Sequence, residues 1–226
     1  MRKIVLIALT SLPLLAGFFP STVNTSIKSV SENSITMNSS FSQNGMSGVV
    51  VHNYGNNIKA ITSRVVQTTK GTAKIMANDV IVHNELPTIK TALSKGDKVI
   101  GGYLYNNVLL LAPDANTYTM VTKSYNKNWI HPDLYATHLA QESENIPTKE
   151  NLAEFAKKYH VGLIYIIKKD SSVLLDPISG SYVGKKSSGK LPSKASIPFF
   201  MRFDEINSGL FSSSYKGTYY DLMETL

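Results

Sequence analysis

The stretch TKENLAEFAKKYHVGLIYIIKKDSSVLLDPISGSYVGKK, from Thr148 to Lys186, reads continuously as a helix, a hydrophobic strand and a hairpin. Pro147 and Thr148 form a start signal, with Thr148 placed to cap and Glu150 in the first turn, where the helix dipole favours an acid. Leu152, Phe155, Ala156 and Tyr159 recur at i, i+3, i+4 and i+7 and predict one apolar helical face. Gly162 stands just past the helix end. The run from Val161 to Ile167 is β-branched and aromatic, too short for a buried helix, and stops at Lys168-Lys169-Asp170. Val173 to Leu175 answer it, and Asp176 to Gly180 turn the chain into Ser181–Lys185.

Working toward the N-terminus, short strands separated by turn signals take over. Val23, Thr25 and Ile27, then Ile35 and Met37, alternate about Ser31-Glu32-Asn33 and predict a hairpin. Gly48 to Val51, Ile58–Val66 and Thr72–Ala77 read as strands, with turns at Asn53 to Asn57 and at Lys70-Gly71. Asp79–His83 is a further candidate strand. Val99–Tyr105 and Val108–Ala112 are expected to pair across a two-residue type I′ turn at Asn106-Asn107, since asparagine tolerates positive φ. Strands at this spacing suggest a small barrel or sandwich.

After Asn116 the character changes. Pro132 marks a helix start after His131, with Asp133 in its first turn. Leu134, Tyr135, His138 and Leu139 give that helix an inward side. Ser187 to Lys194 is expected to be a mobile loop, Ile197 to Phe203 a final strand or edge segment, and Tyr219 to Met223 a short apolar end, helical in pattern. The fold class expected is α+β, a β-rich barrel-like or sandwich-like N-terminal half packed on a mixed α/β half. The divisions are residues 1–20 as a secretory leader, 21–115 as the β-rich subdomain and 116–226 as the mixed one.

Composition bounds the function. The 226 residues are 42% hydrophobic and 17% charged, a globular balance. The net charge of +7 is scattered, with no basic stripe interleaved with aromatics, so nucleic acid is not an expected partner. Met1-Arg-Lys3 followed by the apolar run from Ile4 to Phe19 fits a secretory leader, with Ala16-Gly17 as the cleavage neighbourhood although Leu14 at −3 is large. No other stretch is long and apolar enough to span a bilayer. Cysteine is absent, which excludes disulfides, thiolate metal sites, cysteine nucleophiles and a lipid-modified cysteine. The chain is therefore expected in the periplasm, outer envelope or at the cell surface of a bacterium.

No constellation announces catalysis. His131 and His138 are seven apart, not at the i, i+4 spacing of a helical metal pair, and capping by His131 and half-buried packing of His138 account for them. Ser179-Gly-Ser181 lies in a hairpin turn, not on a strand–turn–helix elbow. Asp97, Asp114, Asp133, Asp170 and Asp176 sit at turns or helix starts, where aspartate is favoured for backbone reasons. Gly101-Gly102 opens no helix, so it marks a bulge or a close backbone approach and not a phosphate loop. No catalytic residue, metal site or cofactor is expected. The densest basic patch, Lys185, Lys186, Lys190 and Lys194, is expected to be exposed and is the candidate partner-binding surface.

The segments Gly48-Val-Val-Val-His52, Lys95-Gly-Asp-Lys-Val99, Leu109-Leu-Leu-Ala-Pro-Asp114, Val161 to Ile167, Ile197-Pro-Phe-Phe-Met-Arg202, Ile206-Asn-Ser-Gly-Leu-Phe211 and Tyr219-Tyr-Asp-Leu222 come in an order and spacing that resemble the N-terminal domain of the plasminogen-binding protein family of Helicobacter and related bacteria. The resemblance runs from about Val23 to the end. It implies a non-enzymatic surface module that captures a plasminogen-like host protein through that protein's lysine-binding kringle domains. Kringles favour a C-terminal lysine, and this sequence closes on Leu226, so capture is expected through internal lysines. The alternative expectation is a structural or flagellar-accessory scaffold whose partners are bacterial envelope proteins.

Overall fold

The computed structural model describes residues 17–77, 91–206 and 215–226. The leader before Gly17 and the candidate strand Asp79–His83 lie outside the described residues. The first strands, β1 (Val23–Val30), β2 (Ser34–Met37), β3 (Ser47–Gly55), β4 (Ile58–Thr69), β5 (Thr72–Ala77) and β6 (Lys98–Gly101), close into an antiparallel barrel in the order β1-β2-β5-β4-β3-β6. The β1–β2 hairpin forms in the Ser/Asn/Thr-rich opening segment, as its alternation predicts. Ile27, Ile35, Val50, Val65, Ala73 and Val99 are buried in it. Gly48 and Gly101 are paired neighbours on β3 and β6, and a Cβ on either would meet the ring of Phe41, at 2.9 and 2.5 Å. The close approach expected at Gly101 is thus real, and it is made for an aromatic plug of the barrel.

The hairpin expected at Asn106-Asn107 does not form. The positive-φ asparagine pair is instead Asn56 and Asn57, between β3 and β4. Beyond Gly101 the chain leaves the barrel through Gly102 (φ +66°) and enters β7 (Asn107–Leu111), an inner strand of a second sheet. Val108 to Leu111 are buried on both faces, the pattern of a parallel strand covered on two sides, which periodicity alone cannot tell from a hairpin arm. Next come α1 (Ala115–Ser124), β8 (Asn128–Ile130), α2 (Pro132–Gln141), α3 (Lys149–Tyr159), β9 (Leu163–Ile167), β10 (Ser171–Asp176), β11 (Ser181–Ser187) and α4 (Tyr219–Glu224). The sheet order is β11-β10-β9-β7-β8, with β8 and β9 parallel to β7 and the last two strands antiparallel.

Alternate residues of this sheet serve two cores. Leu109, Leu111, Ile164, Ile166, Val173 and Leu175 pack under α2, α3 and α4. Leu110, Leu163, Tyr165, Ile167 and Leu174 join the core shared with the barrel, to which α1 adds Tyr118 and Val121. Helix α3 has a capping box between Thr148 and Asn151 and buries Leu152, Phe155 and Ala156, as its spacing predicts. It ends on His160 in the left-handed region (φ +55°). At Gly162 a Cβ would stand 2.1 Å from the Leu104 carbonyl oxygen, so this residue sets how closely β9 meets the turn leaving the barrel.

Candidate functional site

Open α/β sheets take ligands outside the carboxyl ends of their parallel strands, where the strand order reverses. Here β7 stands between its parallel neighbours β8 and β9, so that place is at Leu111, Ile130 and Ile167, and the chain's own residues fill it. Tyr219, buried on α4, shares its hydroxyl hydrogen between the carbonyls of Leu111 (2.8 Å) and Ile167 (2.9 Å). The segment Ile197 to Phe203 crosses the remaining strand ends. Ser196 and Phe200 donate their N–H groups to the carbonyls of Pro113 and Ala112, and Phe199 is fully buried against Tyr135. Of the two expectations, a final strand or an edge segment, the strand does not form: Pro198 has no N–H for a ladder, and the neighbouring N–H groups bond to the stretch after β7.

Asp133, in the first turn of α2, fixes the same segment. Its carboxylate accepts the Arg202 N–H (2.9 Å) and Nε–H (2.6 Å). Burial would raise its pKa, but the hydrogen bonds from Arg202 and the charge of its guanidinium outweigh that and hold the carboxyl below the usual range. His131 caps α2, its ring nitrogen accepting from the Asp133 N–H. His138 is fully buried, not half-buried, and neither ring nitrogen has a hydrogen-bond partner. Among the described residues, no three His, Cys, Asp or Glu side chains gather as they would around a metal ion. No helix there is long and apolar enough to cross a membrane.

The four candidate lysines do not form one patch. Lys185 pairs with Val173 and Lys186 with Ser172, so the two leave β11 on opposite faces of the sheet. Lys185 is exposed. Lys186 is half-buried: its Nζ donates to the Tyr125 hydroxyl (2.8 Å) and lies 4.8, 5.0 and 5.4 Å from the ring centres of Phe18, Tyr125 and Tyr165. Burial would lower its pKa, but hydrogen bonding to Tyr125 and Tyr165 raises it, so the group stays protonated. The expectation that all four lysines are exposed fails for Lys186, because its aromatic partners sit far away in sequence. Lys190 and Lys194 are exposed on the loop after β11. That loop is tied down by Ser188 N–H to the Asp170 carbonyl, by the Tyr220 hydroxyl to the Pro192 carbonyl and by Ser196.

An antiparallel barrel joined to a mixed sheet whose strand ends are closed by its own chain defines an α+β protein with a basic, lysine-bearing edge. The family described as plasminogen-binding protein pgbA N-terminal matches residues 22–226, and the chain belongs to it. It is 30% identical over 169 residues to plasminogen-binding protein PgbA of two Helicobacter pylori strains, J99 and 26695. The matched region is 71% of this chain and 36% of those proteins, so the chain spans about a third of the length of the relatives it matches. No solved structure matches it. Membership in this family points to a binding role.

Proposed function

We propose that this chain is an exported, non-enzymatic binding module of the bacterial envelope that captures a plasminogen-like protein through Lys185, Lys190 and Lys194. Family membership over residues 22–226 carries the reading. The geometry supports it in two ways: the sheet's usual ligand crevice is filled by Tyr219 and the segment around Phe199, and the three lysines stand exposed on β11 and the loop that follows it. A lysine-binding kringle would take up an ammonium group from that edge, and Lys186, held by its three rings, would support the strand instead of offering itself.

The test is binding of the purified protein to immobilised plasminogen with and without a lysine analogue. Saturable binding that the analogue abolishes supports capture. No binding leaves the lysine edge without this role and moves the search to proteins of the bacterium's own envelope.

A further inference from the structure

The seam between the barrel and the second sheet holds a crevice in which the proposed capture of plasminogen takes no part. Val49 on β3, Arg64 on β4, Tyr103 and Leu104 in the turn leaving the barrel, and Lys157 and His160 at the end of α3 line it. Its cavity is about 40 Å³, the space of a few water molecules, so it admits a compact head group and not a whole ligand. Arg64 is half-buried, and Lys157, His160 and Tyr103 are exposed. Among the described residues, no carboxylate stands within ion-pair distance of Arg64, Lys157 or His160. Ser47, Tyr105 and Ile178 also line the crevice, but their donors are taken up by the buried carboxylate of Asp176.

We propose that this crevice binds the carboxylate of an aliphatic acid, with the hydrocarbon chain leaving across Tyr103. The Arg64 guanidinium presents the planar pair of N–H groups that a carboxylate accepts. Lys157 supplies a second positive charge, and His160 a ring N–H in either of its charge states. The carboxyl end of α3 is the negative end of the helix dipole, and Lys157 and Lys158 in its last turn counter it. The mouth selects an aliphatic acid over an inorganic anion. Tyr103 also lines the neighbouring furrow over β3, β4 and β6, where Val51, Ile61 and Ile100 are half-buried. A phosphate would leave that apolar surface wet, whereas a hydrocarbon chain anchored by its head would cover it. The exposed Lys59, Lys95 and Lys98 rim the furrow, and its one acid, Asp97, is engaged by His52 (2.8 Å), so the surroundings favour an acid over an amine.

Octanoate titrated into the purified protein, followed by calorimetry and by melting, tests the site. Saturable binding and a raised melting midpoint are expected. Octanol and octylammonium should bind at least about tenfold more weakly, since neither brings a carboxylate to Arg64. Replacing Arg64 and Lys157 together (Arg64→Gln, Lys157→Gln) should lower octanoate affinity by about tenfold or more and erase the preference over octanol. No saturable octanoate binding, or octanol or inorganic phosphate bound by the wild type as tightly as octanoate, overturns the proposal without recourse to any variant. The C-terminal carboxylate of a polypeptide is the other source of the same head group. An acetylated peptide ending in leucine that binds more tightly than octanoate, and no longer binds once amidated, would assign the crevice to a chain end and overturn the aliphatic acid. Plasminogen is absent from these titrations, so failure of capture and failure of this site are read separately.

Discussion

The Tyr105 hydroxyl donates a 2.6 Å hydrogen bond to Oδ2 of Asp176, 71 residues further along the chain. Asp176 is fully buried, and its carboxylate also accepts the N–H groups of Ser47, Ile178 and Ser179. One side chain thus ties the barrel (Ser47), the turn leaving it (Tyr105) and the β10–β11 hairpin together. Burial and the adjacent carboxylate push the Tyr105 hydroxyl far above its ordinary pKa, so it stays a donor.

Replacing Asp176 by alanine strands several donors at once. Each unsatisfied buried donor costs about 1–3 kcal/mol, so Asp176→Ala should lose at least about 3 kcal/mol of stability. Tyr105→Phe removes a single bond to a charged acceptor and should cost about 1.5–3 kcal/mol. Denaturant melts of the two variants check the order, and an Asp176→Ala protein as stable as Tyr105→Phe would refute the clamp.

His138 should make the fold acid-sensitive. Burial and the charge of Lys158 lower its pKa in the fold, against the opposing pull of Glu142 and Glu154. Its ring lies on Phe155 and Tyr159, so the neutral form is the one that packs. Because the folded value is below the unfolded one, near about 6.5, the stability it contributes is complete above that pH. It is lost as pH falls through the window between the two. Melts of the wild type should weaken between neutral pH and pH 5 more steeply than those of His138→Phe, and parallel profiles would count against this.

The lysines should separate by effect. Lys186→Ala removes contacts with three rings and a hydrogen bond, and should cost about 1–2 kcal/mol. Single alanine variants of Lys185, Lys190 and Lys194 should stay within about 0.5 kcal/mol of the wild type. Thermal melts measure both.

Arg202→Ala should free the segment that closes the strand ends. It breaks the 2.6 Å bond to Asp133 while leaving the backbone bond in place. Limited proteolysis should cut between Ala195 and Phe203 faster in the variant, with melting little changed. Equal cutting rates would mean that the buried Phe199 alone holds the segment.

Much of the second half was legible because its elements follow local rules. Thr148 caps, four apolar residues share a face, and Asp176 to Gly180 turn. Helix α1 was not, since Ala115–Ser124 buries only Thr117 among its helical residues and so shows little amphipathic pattern. The fate of Val108–Ala112 was hidden for another reason: buried on both faces, it carries no sign of which strands flank it. The candidate site was half legible. Exposure of Lys185, Lys190 and Lys194 follows from local composition, but the hold on Lys186 depends on Phe18, Tyr125 and Tyr165, which only the folded sheet brings together.

The most direct test of the central claim compares two variants for binding to immobilised plasminogen: the triple alanine replacement of Lys185, Lys190 and Lys194, and Lys186→Ala at a temperature where it is folded. The triple variant should lose about tenfold or more in affinity, roughly 1.4 kcal/mol, and Lys186→Ala should bind like the wild type. Undiminished binding by the triple variant, or loss confined to Lys186→Ala, would contradict it.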